Sequence, residues 1–342
     1  KETQKTDSKI TPSKKYTGLP GKIDSIAQEI TVRIDSQNNG NGSGVIVAHN
    51  GDTYYVATAG HVVQNQDNYT IVTPDGQSYP VAKANIKTFE GVDLAVVEFE
   101  SKQAYTVATL GKYDLNFNID KASRWVFVSG FPGKQTTTNS QSPRLLTAGI
   151  VQPKETADFE TKDSYSLIDG YGLLYSNLSF PGMSGGAVLD SQGRVVGINT
   201  GAEDEVVVSK TGDVTEISLG QSLGVPIDTL IGLAKSAKIK PEWLQQETSE
   251  SYLLTELEIA SVKKQLVNLK KPSKNATELD WLNYGNQLWR AEQEYKAITA
   301  FDRAIQLNPN SHYAYYGKGL VFEAQGENRQ AKDAYQQATE RQ

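Results

Sequence analysis

The 342-residue sequence contains no cysteine, one methionine and only three histidines, His49, His61 and His312. Without cysteine there is no disulfide, no thiolate nucleophile and no Cys-ligated zinc. With three histidines in all, a His-rich metal site is not expected. Basic residues are the minority of the charged set, 34 Lys and Arg against 40 Asp and Glu, for a net charge of −6. That balance lacks the basic face that a nucleic-acid partner requires. No run approaches the roughly 18 apolar residues of a membrane span. The one methionine is Met183 and the chain starts at Lys1. Either an exported mature form or a trimmed chain accounts for this, and export, periplasmic or extracellular, is the expectation.

The length suits two domains, or one large domain with an appendage. Residues 1–22 are rich in Lys, Thr and Ser and are expected as a flexible arm. From Ile30 the pattern becomes one of short strands. Ile30, Val32 and Ile34 alternate with polar residues, and Gly44–Ala48 and Tyr54–Thr58 follow after turns at Asn38-Asn39-Gly40-Asn41-Gly42 and His49-Asn50-Gly51-Asp52. Similar runs recur at 70–72, 79–86, 94–99, 125–128, 145–151, 172–175 and 194–199. Many short strands at close spacing mean an all-β sandwich or barrel. The Gly-rich Asn41-Gly42-Ser43-Gly44 precedes a strand and no Gly-Lys-Ser/Thr follows it, so it reads as a hairpin turn and not a phosphate cradle.

After Pro226 the chemistry turns helical. Ile227–Ile239 suits a closing helix stopped by Pro241, residues 240–250 read as a linker, and Leu and Ile recur at helical spacing through 252–269. The last stretch superimposes on itself at an offset of 34 residues, pairing Trp281 with Tyr315, Gly285 with Gly319, Leu288 with Phe322, Ala297 with Ala331 and Phe301 with Tyr335. Small residues let antiparallel helices approach and large ones fill the seam, a pattern that resembles the tetratricopeptide repeat. The aromatic positions are expected as core. Asn283, Asn286, Arg290 and Lys318 are candidate contacts for a protein partner on the concave face.

Phe180-Pro181-Gly182-Met183-Ser184-Gly185-Gly186 places a serine among glycines ahead of an apolar run. A serine nucleophile needs a base and a carboxylate that orients the base. His61 ends the strand-like 55–59 in Thr58-Ala59-Gly60-His61, and Asp93 precedes another strand in Val92-Asp93-Leu94-Ala95. Each alone has a bland reading, as a structural histidine, a turn aspartate or a loop serine. Together they stand in the chain order His, Asp, Ser.

These segments, with Gly42-Ser43-Gly44-Val45-Ile46, resemble the trypsin-like serine peptidases, closest to the bacterial branch that includes the high-temperature-requirement proteases. Ser129-Gly130-Phe131-Pro132-Gly133, Thr147-Ala148-Gly149-Ile150-Val151 and Val196-Gly197-Ile198-Asn199-Thr200 add to the likeness, which spans about residues 23–236. The resemblance implies a chymotrypsin-like fold of two six-stranded β-barrels, with His61 and Asp93 on the first and Ser184 on the second. It implies Ser184 as nucleophile, His61 as general base and Asp93 as its orienter, with the N–H groups of Gly182 and Ser184 forming an oxyanion hole. No cofactor is called for.

Two departures bear on specificity and activation. Met183 stands where the digestive trypsins carry the aspartate of a buried N-terminal ion pair, so that activation route is closed. Leu178 stands six residues before Ser184, where trypsin has an acidic pocket floor. An uncharged pocket involving Leu178, Phe180, Asn199, Thr200 and Gly201 is the expectation. Glu203-Asp204-Glu205 could favour basic residues or be a solvated loop. The expected layout is an arm at 1–22, a protease domain at 23–238, a linker with a helix at 239–276 and two repeats at 277–342. It is an all-β double barrel followed by an all-α repeat module. The expected activity is hydrolysis of protein or peptide substrates, with a partner or substrate recruited through the repeats. The alternatives are a latent barrel whose repeats do the binding, and a protease switched on by a partner.

Overall fold

The computed structural model describes residues 15–112, 125–133, 143–152, 170–208, 214–267 and 269–341, the side chains of 152, 202–208 and 214–219 excepted. The chain divides into two compact units, residues 1–201 with 222–266, and residues 202–221 with 267–342.

The first unit opens with a helix, α1 (Gly18–Ile30), in which Ile23, Ala27 and Ile30 recur at helical spacing and are buried. It begins inside the stretch expected as an arm. Its apolar stripe starts only at Leu19, and Pro20 sits in the first turn, where a proline sacrifices no helical hydrogen bond. Seven strands follow: β1 (Thr31–Ser36), β2 (Asn41–Asn50), β3 (Thr53–Thr58), β4 (Tyr69–Val72), β5 (Ser78–Val81), β6 (Ile86–Phe89) and β7 (Val92–Glu100). They lie in the order β5-β4-β1-β2-β3-β7-β6, an open half-barrel. Its core gathers Val32, Ile34, Ile46, Val56, Ile71, Val97 and Phe99. Asn41-Gly42-Ser43-Gly44, read from the sequence as a turn, lies in β2, where Gly42 and Ser43 pair with Ile34 and Arg33 of β1. The turn itself is residues 37–40.

The second sheet contains β8 (Thr109–Gly111), β9 (Trp125–Gly130), β10 (Leu145–Gln152), β11 (Leu173–Tyr175), β12 (Ala187–Leu189), β13 (Val195–Val208), β14 (Val214–Pro226) and β15 (Gln245–Glu247). Their order is β12-β9-β10-β11-β14-β13-β8-β15, and β12 also pairs with β13, so β9 to β14 close into a six-stranded ring. The resemblance implied two six-stranded barrels. The second sheet is that ring with β8 and β15 added in parallel at its edge, and the first is a half-barrel of seven strands.

The closing helix α2 (Ile227–Leu233) is shorter than the 227–239 expected and passes into a 3-10 turn that ends at Lys238, φ 60°. Residues 240–250 do more than link. Trp243 stacks on Tyr55 with ring centroids 5.8 Å apart, and β15 adds a strand to β8. Helix α3 (Glu256–Leu266) packs on α1 and β10. The anchor is Arg194, 3% exposed, whose Nε donates to Asp190, 1% exposed, at 2.7 Å. Its other nitrogens donate to the Ser249 carbonyl at 2.7 Å and to Ser251 Oγ at 2.8 Å. Backbone pairing and a charge reaching across 55 residues leave no trace in local periodicity.

In the second unit, α4 (Glu278–Arg290), α5 (Glu294–Leu307), α6 (His312–Ala324) and α7 (Asn328–Thr339) form two helical hairpins. Thr277 and Asp280 form a reciprocal capping box at the start of α4. The ring of Phe301 fills the seam against Gly285 and Gly317, and Trp281, Leu288, Ala297 and Ala304 complete the core. Gly220 in β14, φ +74°, approaches α4 so closely that a Cβ would stand 2.7 Å from the Asn286 carbonyl oxygen. Of the candidate contact residues, Arg290 is 3% exposed and stacks on Trp289 at 4.1 Å, and Lys318 pairs with Asp302 at 2.6 Å.

Arg194→Leu strands Asp190 in the interior and should cost about 3–5 kcal/mol, whereas Ser251→Ala should cost about 1; urea unfolding of the two variants checks the contrast. Phe301→Ala should destabilise the repeat unit by about 3–5 kcal/mol, read as an earlier loss of helical circular dichroism on heating.

Candidate active site

The base is positioned by the end of β3. After Thr58 the chain enters a 3-10 turn, Gly60–Val62, whose middle residue is His61. Asp93 lies at the start of β7, the neighbour of β3 in the sheet. One carboxylate oxygen accepts the backbone N–H of His61 at 2.8 Å and the other meets imidazole Nδ1 at 2.8 Å. The two bonds fix both the turn and the ring. With Asp93 ionised the ring proton sits on Nδ1, which leaves the Nε2 lone pair free to accept a proton. The imidazole is 43% exposed and the carboxylate only 8%. Burial pushes the Asp93 carboxyl upward, but the hydrogen bond and charge of His61, with a further bond from Tyr171, hold it below the usual carboxylate range.

The serine lies on a loop held from both sheets. Ser43 of β2 donates its backbone N–H to the Ser184 carbonyl at 2.7 Å and its hydroxyl to the Gly182 carbonyl at 2.8 Å. Asn199 of β13 donates through its side chain to Met183 O at 3.1 Å and accepts the N–H of Gly185 on its backbone carbonyl at 2.6 Å. The fit requires glycine: a Cβ at Gly185, φ +87°, would lie 2.0 Å from the Ser43 carbonyl oxygen and 2.1 Å from Thr58 Oγ1. The loop thus lies against the strand end that leads into His61. Met183 is fully buried among Val126, Val128 and Val188, so the position that is charged in digestive trypsins is a core position here.

The structure brings His61 and Asp93 together, whereas the Ser184 hydroxyl donates to the Thr200 carbonyl at 2.7 Å. Among the described residues no protein acceptor takes the N–H of Gly182 or of Ser184. Gly182 has φ +93° and lies against Phe131 and Gly133.

The candidate pocket residues lie around this loop. Leu178 is half-buried, and its carbonyl accepts Thr147 Oγ1 at 3.0 Å. Phe180 is 43% exposed. Asn199 and Thr200 are buried and committed to bonds, Asn199 with Ser179 and Tyr175, and Thr200 with the Leu223 carbonyl. Gly201 is half-buried with open space at its Cα. The side chains of Glu203-Asp204-Glu205 lie outside the described residues.

Two clefts flank the loop and the base. One of about 1020 Å³ opens beside His61, lined by Asn65, Lys83, Phe89, Asp93 and Tyr171. The other, about 560 Å³, lies beside Gly182 and is lined by Arg33, Asn38, Asn41, Gly133 and Pro181. In the wall of the first, Asp67 ties the β1–β2 turn to the chain after His61. It accepts the Ser36 hydroxyl and the N–H groups of Asn38 and Asn68, and these donors, Ser36 foremost, lower its carboxyl to about 2.

Sequence reasoning missed three residues here. Ser43 lay in a quoted motif but read as a turn. Asn199 was placed as pocket wall and is also a clamp. Tyr171 gave no signal: its hydroxyl donates to Asp93 Oδ2 at 2.9 Å from a point 78 residues along the chain. A folded-state carboxyl held below its ordinary range contributes stability that is complete above that range and lost as pH falls through the lowered value. The stability gap between wild type and Asp93→Asn should therefore shrink on acidification below the usual carboxylate range, measured by urea unfolding across pH.

The trypsin-like peptidase domain family matches residues 42–198, and the tetratricopeptide repeat family matches residues 312–342. A probable periplasmic serine endoprotease, DegP-like, of Chlamydia pneumoniae is 27% identical over 187 residues, 54% of this chain and 32% of the relative. Serine protease Do-like HtrA of Lactobacillus helveticus is 24% identical over 203 residues, 58% of this chain and 44% of the relative. Serine protease Do-like HtrB of Bacillus subtilis (strain 168) is 28% identical over 159 residues, 46% of this chain and 32% of the relative. The chain thus spans less than half the length of these relatives. It carries a trypsin-like peptidase domain and a tetratricopeptide repeat, and is a homologue of the DegP- and HtrA-type serine proteases.

Proposed function

We propose that the chain is a serine endopeptidase that hydrolyses peptide bonds through Ser184, His61 and Asp93. The observation that carries the reading is the His61–Asp93 pair, with a buried carboxylate on two N–H groups of the base at 2.8 Å each. Ser184 Oγ turns from the Thr200 carbonyl, gives its proton to His61 Nε2 and attacks the substrate carbonyl carbon. Asp93 stabilises the imidazolium, and the N–H groups of Gly182 and Ser184 receive the oxyanion. His61 then protonates the leaving amine, and water repeats the sequence on the acyl-enzyme. The cleft beside His61 and the cleft beside Gly182 take the chain on the two sides of the scissile bond. The helical repeats recruit the substrate or a partner protein, and a periplasmic or extracellular setting follows from the relatives named as periplasmic endoproteases.

One observation favours a second reading, a latent barrel with the repeats as the working surface: the Ser184 hydroxyl is engaged by Thr200 O at 2.7 Å. Covalent labelling with a fluorophosphonate separates the two. Active wild type is labelled, Ser184→Ala is not, and Asp93→Asn falls by about 10⁴-fold. Folded wild type that stays unlabelled selects the latent barrel.

A further inference from the structure

We infer that Tyr171 is a positioning residue for the His61–Asp93 pair, holding the carboxylate through a second donor on the oxygen that meets the imidazole. The inference rests on the peptidase reading of this site. Tyr171 Oη donates to Asp93 Oδ2 at 2.9 Å, the same oxygen that meets His61 Nδ1 at 2.8 Å, while Oδ1 takes the His61 backbone N–H. The carboxylate therefore has three donors from two residues, and both of its oxygens are engaged. Without Tyr171 the carboxylate is held by His61 alone. The second oxygen would share its lone pairs with water from the cleft that Tyr171 lines.

The tyrosine is itself held. Gly170, φ +78°, lies against Val92, where a Cβ would stand 2.9 Å from Val92 Cγ1, so the residue before Tyr171 packs on the residue before Asp93. Tyr171 lies two residues before β11, a strand of the closed barrel, whereas His61 and Asp93 belong to the half-barrel. The phenol thus ties the base and its orienter to the barrel that carries the serine loop. The charged side chains facing this group are His61 and Asp93 themselves, with Lys83 and Asp67 lining the same cleft.

The test compares wild type with Tyr171→Phe, which keeps the ring and removes only the hydroxyl. The expected result is a fluorophosphonate labelling rate about 3- to 10-fold lower at its plateau. The pH profile of labelling should also change, because the carboxylate that orients and stabilises the base has one hydrogen-bond donor fewer. Thermal unfolding should be little changed. A labelling rate and pH profile identical to wild type would overturn the inference and leave the peptidase reading standing. Absence of labelling in wild type would remove the peptidase reading instead. A second readout is independent of turnover: the imidazole Nδ1 proton resonance of His61, assignable in a chain with three histidines. It should differ between Ser184→Ala and Ser184→Ala/Tyr171→Phe, and superimposable resonances would overturn the inference whatever the labelling.

Discussion

The carboxylate of Asp93 is the constraint on which this site depends. A carboxylate with 8% of its side chain exposed is costly to keep ionised unless its lone pairs are occupied by donors. Here the donors are the N–H and the ring of one histidine and the hydroxyl of one tyrosine. The desolvation that would neutralise the group is offset by the same bonds that orient the imidazole. Structural and chemical demands therefore converge on one residue, at the start of β7 and beside the turn that β3 delivers.

The serine loop is governed by a different principle, close packing around glycine. Gly182 and Gly185 take positive φ and let the loop press against Ser43, Thr58 and Gly133. Ser43 and Asn199 then hold its carbonyls. The loop is thereby fixed from two sheets, while the N–H groups of Gly182 and Ser184 stay uncommitted among the described residues. Thr200, whose carbonyl receives the serine hydroxyl, lies on β13, the strand that continues beyond Gly201 into the second unit.

What could be read in the sequence follows from how local each signal is. His61, Asp93 and Ser184 stood out because each sits at a strand boundary in a motif a few residues long, and the repeats because one offset aligns glycines with glycines and aromatics with aromatics. The strand pattern likewise gave an all-β sandwich or barrel, and the resemblance implied that it is double. Long-range backbone geometry was not legible. Asn41–Gly44 looked like a turn because glycine signals turns, although here it permits close packing within β2. Residues 240–250 looked like a linker because edge pairing to β8 does not depend on side-chain pattern. Helix α1 was hidden by the polar composition that precedes it. Tyr171 was invisible because its one informative contact spans 78 residues.

The central claim is that these groups form one catalytic unit around Ser184. Its most direct test is a crystal structure of the protein after reaction with a peptidyl phosphonate. The account predicts phosphorus bonded to Ser184 Oγ, the Thr200 carbonyl released, and the phosphonyl oxygen within hydrogen-bond distance of the N–H groups of Gly182 and Ser184, with His61 still seated on Asp93. An adduct on another residue, or a phosphonyl oxygen turned away from those two N–H groups, would contradict it.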